Sequence, residues 1–332
     1  NLSHLTSCLL MYRFKQNIVS ISKDQLYKEL YLVLKTLQYK PEIRLHRGLL
    51  TPRLYSDILS GNNVDVLKYI ESLEKQGVLV IGTNTIYLSS KFNSNVDPLT
   101  VRVENLLVVY YNEIQPISLV GEVVKGVISG MHKVTNKDIV LHLLDDQRLS
   151  LTYDKKLYRN DKYNSKFSDI NTSNNNPFIL FPKKSNGVVI LLIHGLLSSP
   201  AEVRGFGDYL CDIGYTVVGA RIVGHGTSPY DLMQYDYNDW INSVYSYFDM
   251  ACMLSKNIVI IGFSTGGAIA LRNEFIHDSR VKSIVVISAP IFYNDTRIKF
   301  VPIINGINKV VSTVLSGNGV KAFFKNIPEN EH

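Results

Sequence analysis

Residues 258–267 read Ile258-Val259-Ile260-Ile261-Gly262-Phe263-Ser264-Thr265-Gly266-Gly267, an apolar β-branched run that breaks into Gly-x-Ser-x-Gly and then into a helix-forming stretch, Ala268 to Phe275. A serine hydroxyl becomes a useful nucleophile only when it is lifted out of its surroundings and offered to a base, and a sharp strand-to-helix turn does this. Such a turn is crowded, so the positions two before and two after the serine must lack side chains. Gly262 and Gly266 satisfy that demand, and Gly267 allows the helix to lie close on the strand. The backbone N–H groups at the start of that helix suit a developing negative charge. The chemistry this spacing suits is acyl transfer through Ser264.

The elements that must hold Ser264 are legible around it. An upstream apolar strand, Val188 to Ile193, runs into His194-Gly195-Leu196-Leu197. A loop N–H there and the N–H of the residue after the serine make a two-donor oxyanion hole, with Leu196 and Thr265 as donors. Between the two motifs the pattern alternates helix, strand, helix, as a parallel sheet requires. Ser199-Pro200-Ala201-Glu202 reads as a capping box with proline at the first helical position, and Gly214 as the helix stop. That helix would bury Val203, Phe206, Leu210 and Ile213. Tyr215 to Ala220 reads as a buried strand. Asp239 to Met253 reads as a helix with Trp240, Val244, Tyr247 and Ala251 on one face, and Val281 to Ser288 as the next strand.

From about Asn176 onward the chain resembles the α/β-hydrolase carboxylesterases and monoacylglycerol lipases. The residues that carry the resemblance are Pro177-Phe178, Leu192-Ile193-His194-Gly195, Gly224-His225-Gly226, Asp239-Trp240, Gly262 to Gly267 and Ala289-Pro290, in that order. The resemblance implies an α/β-hydrolase parallel sheet with flanking helices, and an acyl-enzyme mechanism on carboxylic esters with lipid-like acyl groups. Ser264 would be the nucleophile, Leu196 and Thr265 the oxyanion donors, and His194, Gly195, Gly262, Gly266 and Gly267 the support of loop and elbow.

In this fold the acid and the histidine follow the nucleophile on later strands. Only one further strand is read after Ser264, and residues 291–332, with Ile291-Phe292-Tyr293 and Phe323-Phe324, resemble the start of a helical cap. The triad acid and histidine are therefore expected to lie outside this chain, which begins at Asn1 without an initiator methionine and reads as a fragment of a longer protein. Among the eight histidines, His194 is expected to tie loop backbone together and His225 to order its own loop. His277 should face solvent, and His332 has no orienting carboxylate. Asp278 reads as a helix-end charge and Asp295 as a turn residue.

The first 120 residues are read as a mostly helical, winged-helix-like accessory domain. Ser22-Lys23-Asp24-Gln25 forms a capping box, and Leu26, Leu30, Val33, Leu34 and Leu37 form one stripe. A helix over Asn63 to Lys75 precedes a hairpin, Val78 to Ile81 and Thr85 to Ser89. The segment also resembles the helical C-terminal part of bacterial glycerol-3-phosphate acyltransferases, in Tyr87-Leu88-Ser89-Ser90 and Asn105 to Tyr111. It lacks their His-x4-Asp motif, so no active residue is carried over, and a serine-dependent acyltransferase remains the alternative activity. Residues 121–176 are a connector, with a helix face at Val123, Val124, Val127 and Ile128, two short strands expected over Asp138 to Tyr153, and a flexible linker over Arg159 to Asn176. The hydrolase domain is read as 177–332.

Composition closes off other classes. Thirteen Lys/Arg against ten Asp/Glu in the first 120 residues argue against nucleic acid as a partner, which leaves a non-catalytic binding module as the remaining non-enzymatic reading. Three cysteines, Cys8, Cys211 and Cys252, have no metal-ligand spacing and suggest a reducing, cytoplasmic setting. No apolar run is long enough to span a bilayer, so any membrane contact is expected to be peripheral. No metal or cofactor is expected.

Overall fold

Ser22 closes a short strand and opens a helix, and this junction organises the first half of the computed structural model, which describes residues 1–45, 49, 52–89, 91, 101–158 and 175–290. Helix α1 (Leu2–Lys15) leads into β1 (Ser20–Ser22) and α2 (Lys23–Gln38). The Ser22 hydroxyl accepts from Gln25 N–H, but the Gln25 side chain turns to Glu29, so the expected capping box is only half made. The expected α2 stripe, Leu26, Leu30, Val33, Leu34 and Leu37, is buried. Helices α3 (Pro52–Leu59) and α4 (Val64–Lys75) precede the hairpin β2 (Leu79–Ile81) and β3 (Thr85–Leu88). Gly77, at φ 71°, makes the turn between α4 and β2. β1 joins that hairpin to give the antiparallel order β1-β3-β2, a strand too short to announce itself in the sequence.

Helices α5 (Val101–Glu104), α6 (Leu106–Ile114) and α7 (Ser118–Gly130) follow, and then α8 (Asn136–Leu157). The two short strands expected over 138–153 are not there: one helix of 22 residues covers the segment. Thr135 and Asp138 form a reciprocal capping box, and Ile139, Val140, Leu143, Leu144 and Leu151 are buried at helical spacing. Lys35 of α2, fully enclosed, reaches Asp145 at 2.7 Å and Asp146 at 2.5 Å on α8, while Tyr31 donates to Asp146 at 2.9 Å.

The second half begins with β4 (Phe178–Leu180), β5 (Val189–Ile193), α9 (Pro200–Asp212) and β6 (Thr216–Ala220). It continues with α10 (Pro229–Leu232), α11 (Tyr237–Leu254), β7 (Ile258–Phe263), α12 (Thr265–Ala270), α13 (Asn273–Ile276) and β8 (Val281–Ile287). The sheet order is β4-β6-β5-β7-β8, parallel except for β4. β5 and β6 are buried along their whole length, as central parallel strands flanked by helices must be. The buried apolar side chains of α2, α7, α8 and α11 and those of one sheet face form one continuous cluster.

Two expectations about helices need correction. On α9 the buried positions are Pro200, Val203, Gly207 and Leu210, whereas Phe206 is 37% exposed and Ile213, just past the helix end, 52%. Gly207 takes the inner position because a Cβ there would stand 3.1 Å from the Phe178 ring. The helix after Ser264 does not run unbroken to Phe275; it stops at Ala270 and restarts at Asn273. The cap segment 291–332 and residues 159–174 of the expected linker lie outside the described residues. The linker's last two positions are ordered in the fold, and Asn175 is buried, donating to Gly226 O at 3.1 Å and accepting from the Ser199 hydroxyl at 2.8 Å.

Candidate active site

Ser264 sits just past the C-terminal end of β7, and the neighbouring strands β5 and β6 deliver His194 and Arg221 to the same edge. In a parallel α/β sheet this edge is where loops converge to make a site. Ser264 adopts φ 50°, ψ −119°, a conformation that costs a side-chain-bearing residue on the order of 1–3 kcal/mol. The surroundings hold it there: its N–H donates to Ile287 O on β8 at 2.8 Å, and its carbonyl accepts from Gly267 N–H at 2.9 Å. A Cβ on Gly262 would collide with the Gly266 carbonyl, and one on Gly266 would stand 2.5 Å from the carbonyl oxygens of Ile193 and His194. Both glycines are therefore required by close backbone approach, as the spacing suggests.

The loop after β5 lies directly against the serine. A Cβ on Gly195 would come within 3.3 Å of the Ser264 Cβ. Gly195 is held from both sides: its N–H donates to the Glu202 carboxylate at 3.0 Å, and its carbonyl lies 2.8 Å from His194 Nδ1. Because a carbonyl can only accept, His194 Nδ1 carries the proton; Nε2 then accepts the Ile222 N–H at 3.1 Å. The ring is fully enclosed, and burial keeps it neutral by pushing its pKa down to about 3, with the neighbouring His225 and Arg221 acting in the same direction.

This bond has a geometric consequence. In a planar trans peptide the carbonyl of one residue and the N–H of the next point in opposite directions. Anchoring the Gly195 carbonyl to His194 therefore aims the Leu196 N–H the other way. Among the described residues neither the Leu196 nor the Thr265 N–H makes a hydrogen bond. Leu197 stands at φ 58° and is 68% exposed, so the loop carries a second strained residue beside Ser264.

Other candidates fall where their surroundings place them. His225 is buried, with its ring 5.3 Å from that of His194 and 5.4 Å from that of Trp240, and burial lowers its pKa. Its Nδ1 lies 3.2 Å from Val223 O, a loop contact. His277 is exposed. Asp278 is tied to Arg280, which holds its carboxyl at about 2. Among the described residues no histidine or carboxylate is hydrogen-bonded to the Ser264 hydroxyl, and no group of His, Cys, Asp and Glu is arranged to hold a metal. His46, His332 and Asp295 lie outside the described residues.

Three contributors to the site escape sequence reasoning. Glu202 matches a capping-box pattern, yet its carboxylate goes to Gly195 while Ser199 caps through Ala201 N–H. Arg221 carries no motif at all, and Asn175 lies inside a stretch that composition marks as linker.

Residues 188–307 match the family described as alpha/beta hydrolase fold. Over 91 residues the chain is 31% identical to a thermostable monoacylglycerol lipase of Bacillus sp. (strain H-257), a stretch covering 27% of this chain and 36% of that protein. Over 121 residues it is 28% identical to a carboxylesterase of Bacillus subtilis (strain 168), covering 36% of this chain and 48% of that one. The matched stretch thus spans between about a third and a half of these curated relatives. Among solved structures, one reported for the metagenome-derived lipolytic enzymes LipS and LipT aligns at a TM-score of 0.35 and 23% identity, over 37% of this chain and 49% of that one.

Proposed function

Since residues 188–307 carry the alpha/beta hydrolase fold and resemble esterases and lipases there, we propose that this chain is the nucleophile-bearing part of a serine hydrolase acting on carboxylic esters with lipid-like acyl groups. Ser264 attacks the ester carbonyl carbon, its proton passing to a general base. The carbonyl oxygen becomes an oxyanion that the N–H groups of Leu196 and Thr265 stabilise. Collapse expels the alcohol, which takes the proton from the base, and leaves an acyl-enzyme that water then hydrolyses. Each donor contributes on the order of 10²- to 10³-fold to turnover. None of the described histidines supplies the base, so the reading assigns the base and its orienting carboxylate to sequence outside the described residues.

One observation carries the reading: Ser264 is held at φ 50° against the Gly195 backbone, with the N–H groups of Leu196 and Thr265 both unengaged among the described residues. No helix among the described residues is long and apolar enough to cross a membrane, so a lipid-like substrate would be met peripherally. The test is labelling by a fluorophosphonate with mass-spectrometric site mapping, on the 332-residue chain and on the longest reading frame that contains it. Label on Ser264 in either form is the expected result; label on neither overturns the reading. Product analysis with added glycerol then separates hydrolysis from transfer to an alcohol.

A further inference from the structure

Asp154 lies near the end of α8, outside the segment that matches the hydrolase family, yet it touches the machinery at the sheet's edge. Its carboxylate accepts from Arg221 Nη1 at 3.1 Å. Arg221 is the first residue after β6, and its side chain is 4% exposed. The same guanidinium donates through Nε to His225 O at 2.8 Å, and its Nη2 stands 3.7 Å from the Asp231 carboxylate. A planar fork held at two corners leaves little freedom to the backbone that carries it. Arg221 thus pins the 221–226 turn to a helix of the first half of the chain.

The turn in question feeds the oxyanion loop. Ile222, next to Arg221, gives its N–H to His194 Nε2; His194 Nδ1 then holds the Gly195 carbonyl; and that carbonyl sets the direction of the Leu196 N–H. We propose that Asp154 is a positioning residue for the oxyanion donor at Leu196, acting through Arg221, the Ile222 peptide and His194. On this account α8 is part of the working site and more than an accessory. The inference rests on the reading of Ser264 and Leu196 given above. A purely structural ion pair would hold the fold together without bearing on the state of the His194 ring.

Two measurements separate these cases. The first uses the 332-residue chain and the ring nitrogen resonances of His194, identified by comparison with His194→Asn. The wild type should show one neutral tautomer with the proton on Nδ1. Asp154→Ala should mix in the Nε2-protonated form, and Asp154→Glu should restore the single tautomer. Should the alanine variant not fold, Asp154→Asn, which keeps the volume and removes the charge, is read in the same way with a smaller shift. A folded variant whose His194 resonances match the wild type overturns the proposal.

The second uses whichever form labels at Ser264. Asp154→Ala should lower kcat on a short acyl ester about ten- to a hundredfold, as a displaced donor would, with KM within about twofold and recovery in Asp154→Glu. A fall in thermal midpoint with kcat unchanged overturns the proposal. If Ser264 is labelled and His194 ignores Asp154, the proposed function stands and this inference falls. If Ser264 is never labelled, the proposed function falls and takes the role of Leu196 with it, whatever His194 does.

Discussion

The serine at position 264 pays a conformational cost that a glycine in its place would not. Replacing it by glycine removes the Cβ that makes φ 50° unfavourable, so Ser264→Gly should raise stability by about 1 kcal/mol in urea unfolding while losing all fluorophosphonate label. Unchanged stability would mean that the elbow is relaxed. His194 makes a second, pH-dependent statement. Its folded pKa, about 3, lies below the ordinary 6.5. The unfolded chain therefore takes up a proton below pH 6.5 that the folded one refuses. Stability from this group is fully present above pH 6.5 and is lost as pH falls toward 3, by up to about 1.4 kcal/mol per unit. Urea midpoints at pH 7.5, 6.5 and 5.5 should drop more steeply for the wild type than for His194→Asn. Parallel curves would assign the dependence to other groups.

At the scale of elements, β5, β6 and β7 matter because they end at one edge and so bring His194, Arg221 and Ser264 together from positions up to 70 residues apart. α8 matters for a different reason. It carries Asp145 and Asp146 toward α2 from its middle and Asp154 toward Arg221 from its C-terminal end. Its start is held by the capping box of Thr135 and Asp138, so Thr135→Ala should cost about 1 kcal/mol in urea unfolding. A loss near zero would show that tertiary contacts alone hold the helix. The expectation of strands here failed for an identifiable reason. Within Asp138 to Tyr153, the polar run Asp145 to Arg148 divides two apolar segments, and Leu149-Ser150-Leu151-Thr152-Tyr153 alternates apolar with polar residues, a pattern that reads as strand over a short window. The capping pair at Thr135 and the 22-residue span settle it as a helix.

Across the whole molecule, the two halves share one apolar cluster and the ionic contact of Arg221 with Asp154, and a second buried ionic contact joins α2 to α8 within the first half. Lys35 is enclosed with Asp146, and Asp145 is more open to solvent. Lys35→Met removes the cation and leaves an uncompensated carboxylate inside, which should cost about 3–5 kcal/mol in urea unfolding. A cost below about 1 kcal/mol would mean that water reaches Asp146 at this junction. What the sequence determined by itself is local: the elbow glycines around Ser264, the strands β5 to β8, and the helix start at Ser199, because turn sterics, apolar runs and caps act over a few neighbouring residues. What tertiary structure decided is the wiring between them. Glu202 leaves its cap to hold Gly195, Asn175 leaves its linker to tie Gly226, and Arg221 meets Asp154 across 67 positions. Each is a polar group whose partner is chosen by burial after the chain has folded, and burial is a property that no short window of residues contains.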